Sequence, residues 1–179
     1  NLFDITYADA SGREKIWRVA SRHHSLKCES GNFEAPDAVV VVPYHAEKQK
    51  LVIIREFRVP LGDFQYGFPA GLVDPGENVE TSARRELAEE TGLRLIRIHR
   101  ISPPIFSSSG LTDESVAMVY GDCAGESSRM GNTSSEDIET LFVSPEEARL
   151  LCENHQNKWD VKTWIVLSFY AETGNVGGI

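Results

Sequence analysis

Apolar residues concentrate in two runs within the first third of the chain. Residues 38–43 consist almost entirely of Ala and Val, and residues 51–57 are mostly apolar. An uninterrupted run of Val predicts a strand that is buried on both faces of a sheet. Earlier in the chain, residues 2–7 and 16–21 mix β-branched, aromatic and polar side chains around a turn-forming segment at 9–12, which predicts an antiparallel hairpin.

A helical spacing of apolar residues begins at residue 79. It predicts a helix over residues 79–91 that ends at Gly92, because glycine favours the left-handed conformation found after helix ends. A second helix is predicted over 144–153, where Ser144-Pro-Glu-Glu opens as a capping box. Residues 160–173 fit a strand or a helix on their apolar pattern, and their length favours a helix.

The remaining apolar segments predict three further strands, over residues 93–101, 115–120 and 139–143. Several strands with one central helix and two late helices indicate an α+β fold or a three-layer sandwich. We expect residues 1–34 to form an N-terminal β-hairpin extension and residues 35–179 to form the main domain.

The composition is that of a globular protein, with 41% hydrophobic and 25% charged residues, so we expect a packed core. A net charge of −9 argues against a nucleic acid partner, and the apolar runs are too short for a membrane-spanning segment. The first residues lack the basic and apolar regions of a signal peptide, and the three cysteines form no C-x-x-C motif. We therefore expect a cytoplasmic protein whose cysteines are reduced.

Three glutamates fall together on the predicted helix over residues 79–91. Glu86 and Glu90 are four residues apart and share one face, and Glu89 lies beside them. Like charges at this spacing weaken an isolated helix, so the cluster calls for a neutralising partner. Hard divalent cations, which prefer oxygen ligands, are the natural partner, and a solvated helix face is the alternative.

The sequence around these glutamates resembles the Nudix box. From Gly71 to Leu93 it matches the pattern Gly-x5-Glu-x7-Arg-Glu-U-x-Glu-Glu-x-Gly-U at every specified position, where U is aliphatic. The resemblance implies a Nudix α/β/α sandwich in which a strand, a loop and a helix bind Mg²⁺ or Mn²⁺, with two or more ions per site. It also implies a reaction in which water attacks a phosphorus of a nucleoside diphosphate linked to another group.

The segments that flank the box resemble those of ADP-ribose and sugar-nucleotide pyrophosphatases. These segments are Arg55-Glu-Phe-Arg58, Pro69-Ala-Gly71, Gly110-Leu-Thr-Asp-Glu114 and Ser135-Glu-Asp-Ile138. The implied substrate is a nucleoside-diphosphate sugar, first of all ADP-ribose, which would be cleaved to AMP and ribose 5-phosphate. Alternatives are another nucleotide (GDP-mannose, NADH, a dinucleoside polyphosphate or a nucleoside triphosphate) and a non-catalytic module that senses nucleotide sugars.

The same resemblance implies roles for individual residues. The implied metal ligands are the backbone carbonyl of Ala70 and the carboxylates of Glu86, Glu89, Glu90 and Glu136. Arg85 would position the glutamates, and Arg58 would contact the phosphates of the substrate.

Two positions depart from the subfamily pattern. Ser109 stands where many of these enzymes have Pro, and Ser134 stands where some have a catalytic Glu. The base that accepts the proton of the attacking water would then be Glu114, Glu136, Glu89 or a water activated by the metal.

Aromatic residues of the N-terminal hairpin and of the strand before the box are candidates to contribute to the site. Trp17 and Phe57 are candidates to stack on the base or the ribose of the substrate, although such aromatic residues lie more often in the core. In the resembling subfamily, a segment of this kind packs across to a second subunit. Because an exposed hairpin edge also favours a pairing partner, we expect a homodimer.

Overall fold

Within residues 1–128 and 137–177, which the computed structural model describes, the chain forms an eight-stranded mixed sheet and a separate two-stranded sheet. In chain order the strands and helices are β1 (Leu2–Ala8), β2 (Glu14–Ala20), α1 (Lys27–Ser30), β3 (Ala38–His45), β4 (Lys50–Arg58), β5 (Asp63–Gly67), β6 (Ala70–Leu72), α2 (Val79–Thr91), β7 (Arg94–Ile101), β8 (Ile105–Phe106), β9 (Ser115–Ala124), β10 (Ile138–Val143), α3 (Pro145–Glu153) and α4 (Val161–Thr173). No helix in these ranges has the length and apolar character needed to cross a membrane.

The strand β3 forms the centre of the large sheet. The main strand order is β10-β4-β3-β9-β7, and β5, β6 and β8 pair alongside β4, β3 and β9. β3 runs parallel to β9 and antiparallel to β4 and β6. All of residues 38–43 are buried, so the prediction of a strand with two covered faces is confirmed.

Helices cover both faces of this sheet. On one face, Leu87 of α2 joins a buried cluster with Val39 and Val41 of β3. On the other face, Leu167 of α4 joins a second buried cluster with Val40. Alternate valines of one strand thus serve two cores, because successive side chains of a strand point to opposite faces. The arrangement is an α/β/α sandwich within the α+β class, as predicted.

The N-terminal hairpin is also confirmed, since β1 and β2 pair antiparallel from Leu2 opposite Ala20 to Ala8 opposite Glu14. The ambiguous segment at 160–173 is a helix, whose first turn is capped by Asp160 accepting from the backbone N–H of Thr163 at 3.0 Å.

The sequence pattern did not predict the short elements α1, β5, β6 and β8. β5 mixes polar and aromatic residues without a clear alternation, and it pairs along its whole length with β4. Strand formation in such a segment depends on its neighbour more than on its own residues. The pairing places β5 and β6 beside the centre of the sheet, where the candidate site lies.

A buried ion pair connects the N-terminal segment to the central sheet. Lys27 Nζ lies 2.8 Å from Asp37 Oδ2, and both side chains are more than nine-tenths buried. Lys27 also donates to Ser115 Oγ at 2.7 Å, and Asp37 accepts the backbone N–H of Ser115 at 2.7 Å. These hydrogen bonds offset the cost of burying two charges. The domain boundary predicted after residue 34 falls between these two residues and remains a prediction.

The three cysteines are free, as Cys28 is exposed, Cys123 is buried and Cys152 is partly buried. Burial raises the pKa of the Cys123 thiol to about 12, so this side chain is a packing group rather than a nucleophile.

Candidate functional site

The helix α2, which carries the three glutamates, is fixed at both ends by its own sequence. Asn78 Oδ1 accepts the backbone N–H of Thr81 at 2.9 Å and so caps the first turn. Gly92 ends the helix in the left-handed conformation, with a φ of 75°. Between these ends, Glu86 and Glu90 lie against β6.

Glu86 packs directly on the backbone of β6. Glu86 is only 9% exposed. Its carboxylate occupies the space that a Cβ at Gly71 would need. Burial raises the pKa of Glu86, while Arg85 Nη1, at 2.7 Å from Glu86 Oε1, opposes the shift. The glycine that opens the box motif is therefore the residue that allows a carboxylate to approach the strand.

This packing predicts the effect of Gly71→Ala. The added methyl group must displace the Glu86 carboxylate, so we expect kcat/KM to fall by about tenfold to a hundredfold, the range found when groups that orient metal ligands are changed. The measurement is steady-state turnover with a Mg²⁺ titration. Gly110→Ala is the control, because a Cβ there meets no atom within 4 Å. Wild-type turnover and an unchanged Mg²⁺ midpoint in Gly71→Ala would show that the position of Glu86 is unimportant.

Glu90 is the second glutamate of the helix that contacts β6. Its Oε2 accepts the backbone N–H of Ala70 at 3.1 Å. Burial raises the pKa of Glu90 to about 8, and the negative charges of Glu56 and Glu86 add to the shift. A carboxylate in this setting is costly as an anion unless a cation lies beside it.

Arg85 joins the parts of the cluster to one another. Its guanidinium donates to Glu77 Oε2 at 2.9 Å, to Glu86 Oε1 at 2.7 Å and to Glu89 Oε2 at 3.2 Å. It also donates to the backbone carbonyl of Leu72 at 2.9 Å, which connects the helix to the end of β6. Hydrogen bonds from Arg85 hold the pKa of Glu77 at about 2, so that carboxylate is an anion at neutral pH. This geometry suits the predicted positioning role of Arg85.

A cavity of about 490 Å³ lies beside β6, and Ala70 and Gly71 line it. Its charged lining consists of three pairs of opposite charge. The pairs are Arg22 with Glu114, Arg58 with Glu56 (3.0 Å) and Lys162 with Asp160 (2.7 Å). The cavity therefore offers cations that can bind an anionic ligand and carboxylates that can accept a proton.

Four of these six residues were not predicted as site residues, namely Arg22, Glu56, Asp160 and Lys162. Arg22 follows the N-terminal hairpin, far in sequence from the box, and only the fold brings it to Glu114. Glu56 could have been found from the sequence. It lies two residues before Arg58 on a strand, so both side chains point to the same face.

Some predicted residues lie elsewhere in the single chain. Trp17 is about half exposed and lines a separate apolar pocket with Phe33 and Phe106. Phe57 is 41% exposed, stacks edge-on against Phe64 and does not line the cavity.

The structure describes some of the other residues that the sequence analysis singled out, but not all of them. The side chain of Glu89 is 52% exposed and contacts Arg85. Ser109, the first departure from the subfamily pattern, lines the apolar pocket of Trp17 rather than the cavity. Glu136 and Ser134 lie outside the residues that the structure describes.

The donor chemistry of the cluster fits a hard divalent cation. Glu86, Glu89 and Glu90 offer only carboxylate oxygens, the ligands such ions prefer, and burial raises the pKa of two of them. Over residues 1–128 and 137–177, no three Asp, Glu, His or Cys side chains already converge in a metal-binding arrangement. Arg85 is hydrogen-bonded to two of the three glutamates and so occupies part of their binding capacity.

The chain is similar in sequence to proteins named as an ADP-ribose pyrophosphatase, an ADP-sugar pyrophosphatase and an ADP compounds hydrolase. It is 33% identical over 119 residues to the ADP-ribose pyrophosphatase of Saccharomyces cerevisiae (66% of this chain, 50% of that protein). It is 31% identical over 127 residues to the ADP-sugar pyrophosphatase of Mus musculus (67% and 55%). It is 39% identical over 112 residues to the ADP compounds hydrolase NudE of Escherichia coli (60% and 55%). The chain spans about half the length of these relatives.

The family assignment rests on a match that extends over most of the chain. The NUDIX domain model matches residues 34–165, which include the complete motif from Gly71 to Leu93. Within that motif the structure brings Gly71, Arg85 and Glu86 into one contact group. The chain therefore belongs to the Nudix family.

Proposed function

We propose that this protein hydrolyses the diphosphate linkage of a nucleoside-diphosphate sugar, with ADP-ribose as the first candidate and AMP and ribose 5-phosphate as the products. The observation that carries the proposal is the cavity beside β6, which combines three cations with three carboxylates. Two relatives named for ADP-ribose and ADP-sugars support the choice of substrate.

We propose Mg²⁺, with Mn²⁺ as a substitute, as the cofactor. Glu86 and Glu90 would hold it, with Glu89, Glu136 and the Ala70 carbonyl as further ligands, and two or more ions per site are our expectation. When bound, the metal neutralises the charge of the diphosphate and polarises its phosphorus–oxygen bonds. Arg85 would keep the carboxylates in place through its bonds to Glu86 and Glu89.

The protein's own residues would bind the substrate and move a proton. Arg22, Arg58 and Lys162 would exchange their carboxylate partners for phosphate oxygens, which accept Arg and Lys hydrogen bonds equally well. We propose Glu114 as the acceptor of the proton from the attacking water, because its carboxylate lines the cavity. Glu89 is the alternative, and its side chain is half exposed outside the cavity.

A substrate screen tests this proposal directly. We expect Mg²⁺- or Mn²⁺-dependent release of a nucleoside monophosphate from ADP-ribose or another nucleoside-diphosphate sugar. The panel is ADP-ribose, ADP-glucose, GDP-mannose, UDP-glucose, NADH, diadenosine polyphosphates and nucleoside triphosphates, with products separated by ion-exchange chromatography. Turnover of nucleoside triphosphates alone would reject the substrate class. Tight binding of nucleotide sugars without any turnover would instead favour a sensing module.

We further propose a homodimer that uses the N-terminal hairpin. The hairpin leaves large apolar side chains exposed, with Leu2 at 66%, Ile16 at 67% and Trp17 at 47%. Its two strands pair with each other, and a single bridge joins Ala20 to Thr112 among the residues that the structure describes. A second subunit would cover these side chains and could bring Trp17 to the partner's substrate. We expect light scattering to give twice the mass of 19.9 kDa at micromolar concentration. A monomer mass there would contradict the dimer.

The proposed partners are thus a small nucleotide substrate and a second copy of the chain, with no nucleic acid or membrane. The net charge of −9 and the free cysteines support a reducing, cytoplasmic location.

A further inference from the structure

The edge strand β7 departs from regular pairing at two points. It pairs antiparallel with β9, and the register shifts once between Leu95 and Arg97 and again between Ile98 and Arg100. Each shift places one extra residue on β7, as in a β-bulge. Each step of three residues along β7, from Arg94 to Arg97 and from Arg97 to Arg100, therefore corresponds to a step of two residues along β9.

The two shifts align three arginines on one face. Arg94, Arg97 and Arg100 lie opposite Ala124, Asp122 and Tyr120, which alternate along β9 and so share a face. Without the shifts, Arg97 would point to the opposite face from the other two. Because two residues of an antiparallel strand rise about 6.8 Å, the three arginines form a row with that spacing.

The other face of β7 belongs to the core. Leu95, 4% exposed, and Ile98 pack into the cluster beneath α2. The arginines therefore lie on the opposite face of the sheet, and all three are exposed. Among the described residues β7 pairs along its length with β9 alone, so the row lies at an open edge of the sheet.

The three arginines of the row form no ion pair with any residue that the structure describes. Every other arginine that the structure describes forms one, namely Arg13, Arg18, Arg22, Arg55, Arg58, Arg84, Arg85 and Arg149. Within the same ranges, Arg94, Arg97 and Arg100 have no acidic partner within 4.0 Å, and Asp122 instead lies 2.9 Å from His99 Nε2. In a chain of net charge −9, three adjacent cations without an acidic partner among the described residues form a local positive surface.

We propose that this arginine row binds an extended acidic segment of a partner protein, with carboxylates at alternate positions. Alternate side chains of an extended peptide are spaced about 6.8 Å apart, which matches the row, and each guanidinium can bind a carboxylate through two hydrogen bonds. A nucleic acid fits less well, because its affinity depends on many phosphate contacts, and the overall charge of −9 repels a long polyanion.

Protection of the sheet edge alone does not account for the row. Charged side chains and bulges do prevent edge strands from pairing with other chains. That purpose is served by charges on either face, whereas here two bulges bring all three arginines to the same face. The row lies outside the lining of the cavity, so a partner bound there leaves the hydrolytic site open.

Fluorescence anisotropy with a labelled peptide tests the proposal. The probe is Glu-Thr-Glu-Val-Glu-Thr-Glu carrying fluorescein, titrated with the full chain at low ionic strength. We expect the triple variant Arg94→Gln/Arg97→Gln/Arg100→Gln to bind at least about tenfold more weakly than the wild type, as the loss of several charged hydrogen bonds requires. Hydrolysis of the nucleotide substrate is measured on the same preparations and should not change, which also verifies folding.

A matched triple variant controls for net charge. Arg13→Gln/Arg149→Gln/Lys158→Gln removes the same charge from exposed side chains that are ion-paired elsewhere, and it should bind the probe within about twofold of the wild type. An equal loss in this control would overturn the proposal. So would equal affinity for a peptide of the same composition with its four glutamates contiguous, or tighter binding of an oligouridylate of seven nucleotides.

Discussion

Glu90→Gln is expected to lower kcat by at least two orders of magnitude while leaving the metal-free protein as stable as the wild type. A neutral amide is a far poorer ligand for a hard dication than a carboxylate. Gln keeps the length of Glu, most of its helix propensity and an oxygen that can accept the Ala70 N–H. Burial already raises the pKa of Glu90 to about 8, so near neutral pH the metal-free wild type carries mostly the uncharged form that Gln resembles.

The measurements are turnover across a Mg²⁺ titration and thermal unfolding in the presence of a chelator. Glu80→Gln is the matched control, because Glu80 lies on the same helix, is exposed and pairs only on the surface with Arg84 at 2.7 Å. It should retain near-wild-type turnover. Near-wild-type turnover by Glu90→Gln at limiting Mg²⁺ would remove Glu90 from the metal site, and a large loss of metal-free stability would show a structural role instead.

Local sequence signals sufficed for the framework of this fold. The Val run predicted β3 and its burial on both faces, and the periodic segment closed by Gly92 predicted α2 from Val79 to Thr91. These elements are decided by short-range properties, namely the alternation of side chains and the conformational preference of glycine. The spacing of Glu86 and Glu90 on one helix likewise follows from the sequence alone.

The features that the sequence did not predict depend on contacts between residues that lie far apart in the chain. Arg22 and Glu114 are 92 residues apart, and nothing in either local segment indicates that they meet. Trp17 was a candidate to stack on the substrate, but in the single chain it lines an apolar pocket rather than the cavity. In the sequence, the segment that contains Arg94, Arg97 and Arg100 looks like an ordinary strand of mixed polarity. The two bulges that align these arginines are visible only in the register of the strand pairing.

Arg85→Gln is the second substitution with a large expected effect. Arg85 binds Glu77, Glu86, Glu89 and the Leu72 carbonyl, so its loss frees two candidate metal ligands from their orientation and leaves them repelling each other. We expect kcat/KM to fall by about tenfold to a hundredfold, the usual range for residues that orient metal ligands. Excess Mg²⁺ should restore part of the loss, because the ligands themselves remain.

The same variant should change the dependence of stability on pH. Arg85 lowers the folded-state pKa of Glu77 from the usual 4.5 to about 2, so this pair contributes stability above pH 4.5 that is lost as the pH falls toward 2. The wild type should therefore exceed Arg85→Gln in melting temperature most clearly above pH 5, and the difference should narrow toward pH 3. Arg84→Gln is the control, since Arg84 pairs with the exposed Glu80 and donates to the Leu95 carbonyl. Equal turnover and parallel pH profiles for Arg85→Gln and the wild type would mean that Arg85 is only a surface charge, and the cluster would then need another residue to hold Glu86 beside Gly71.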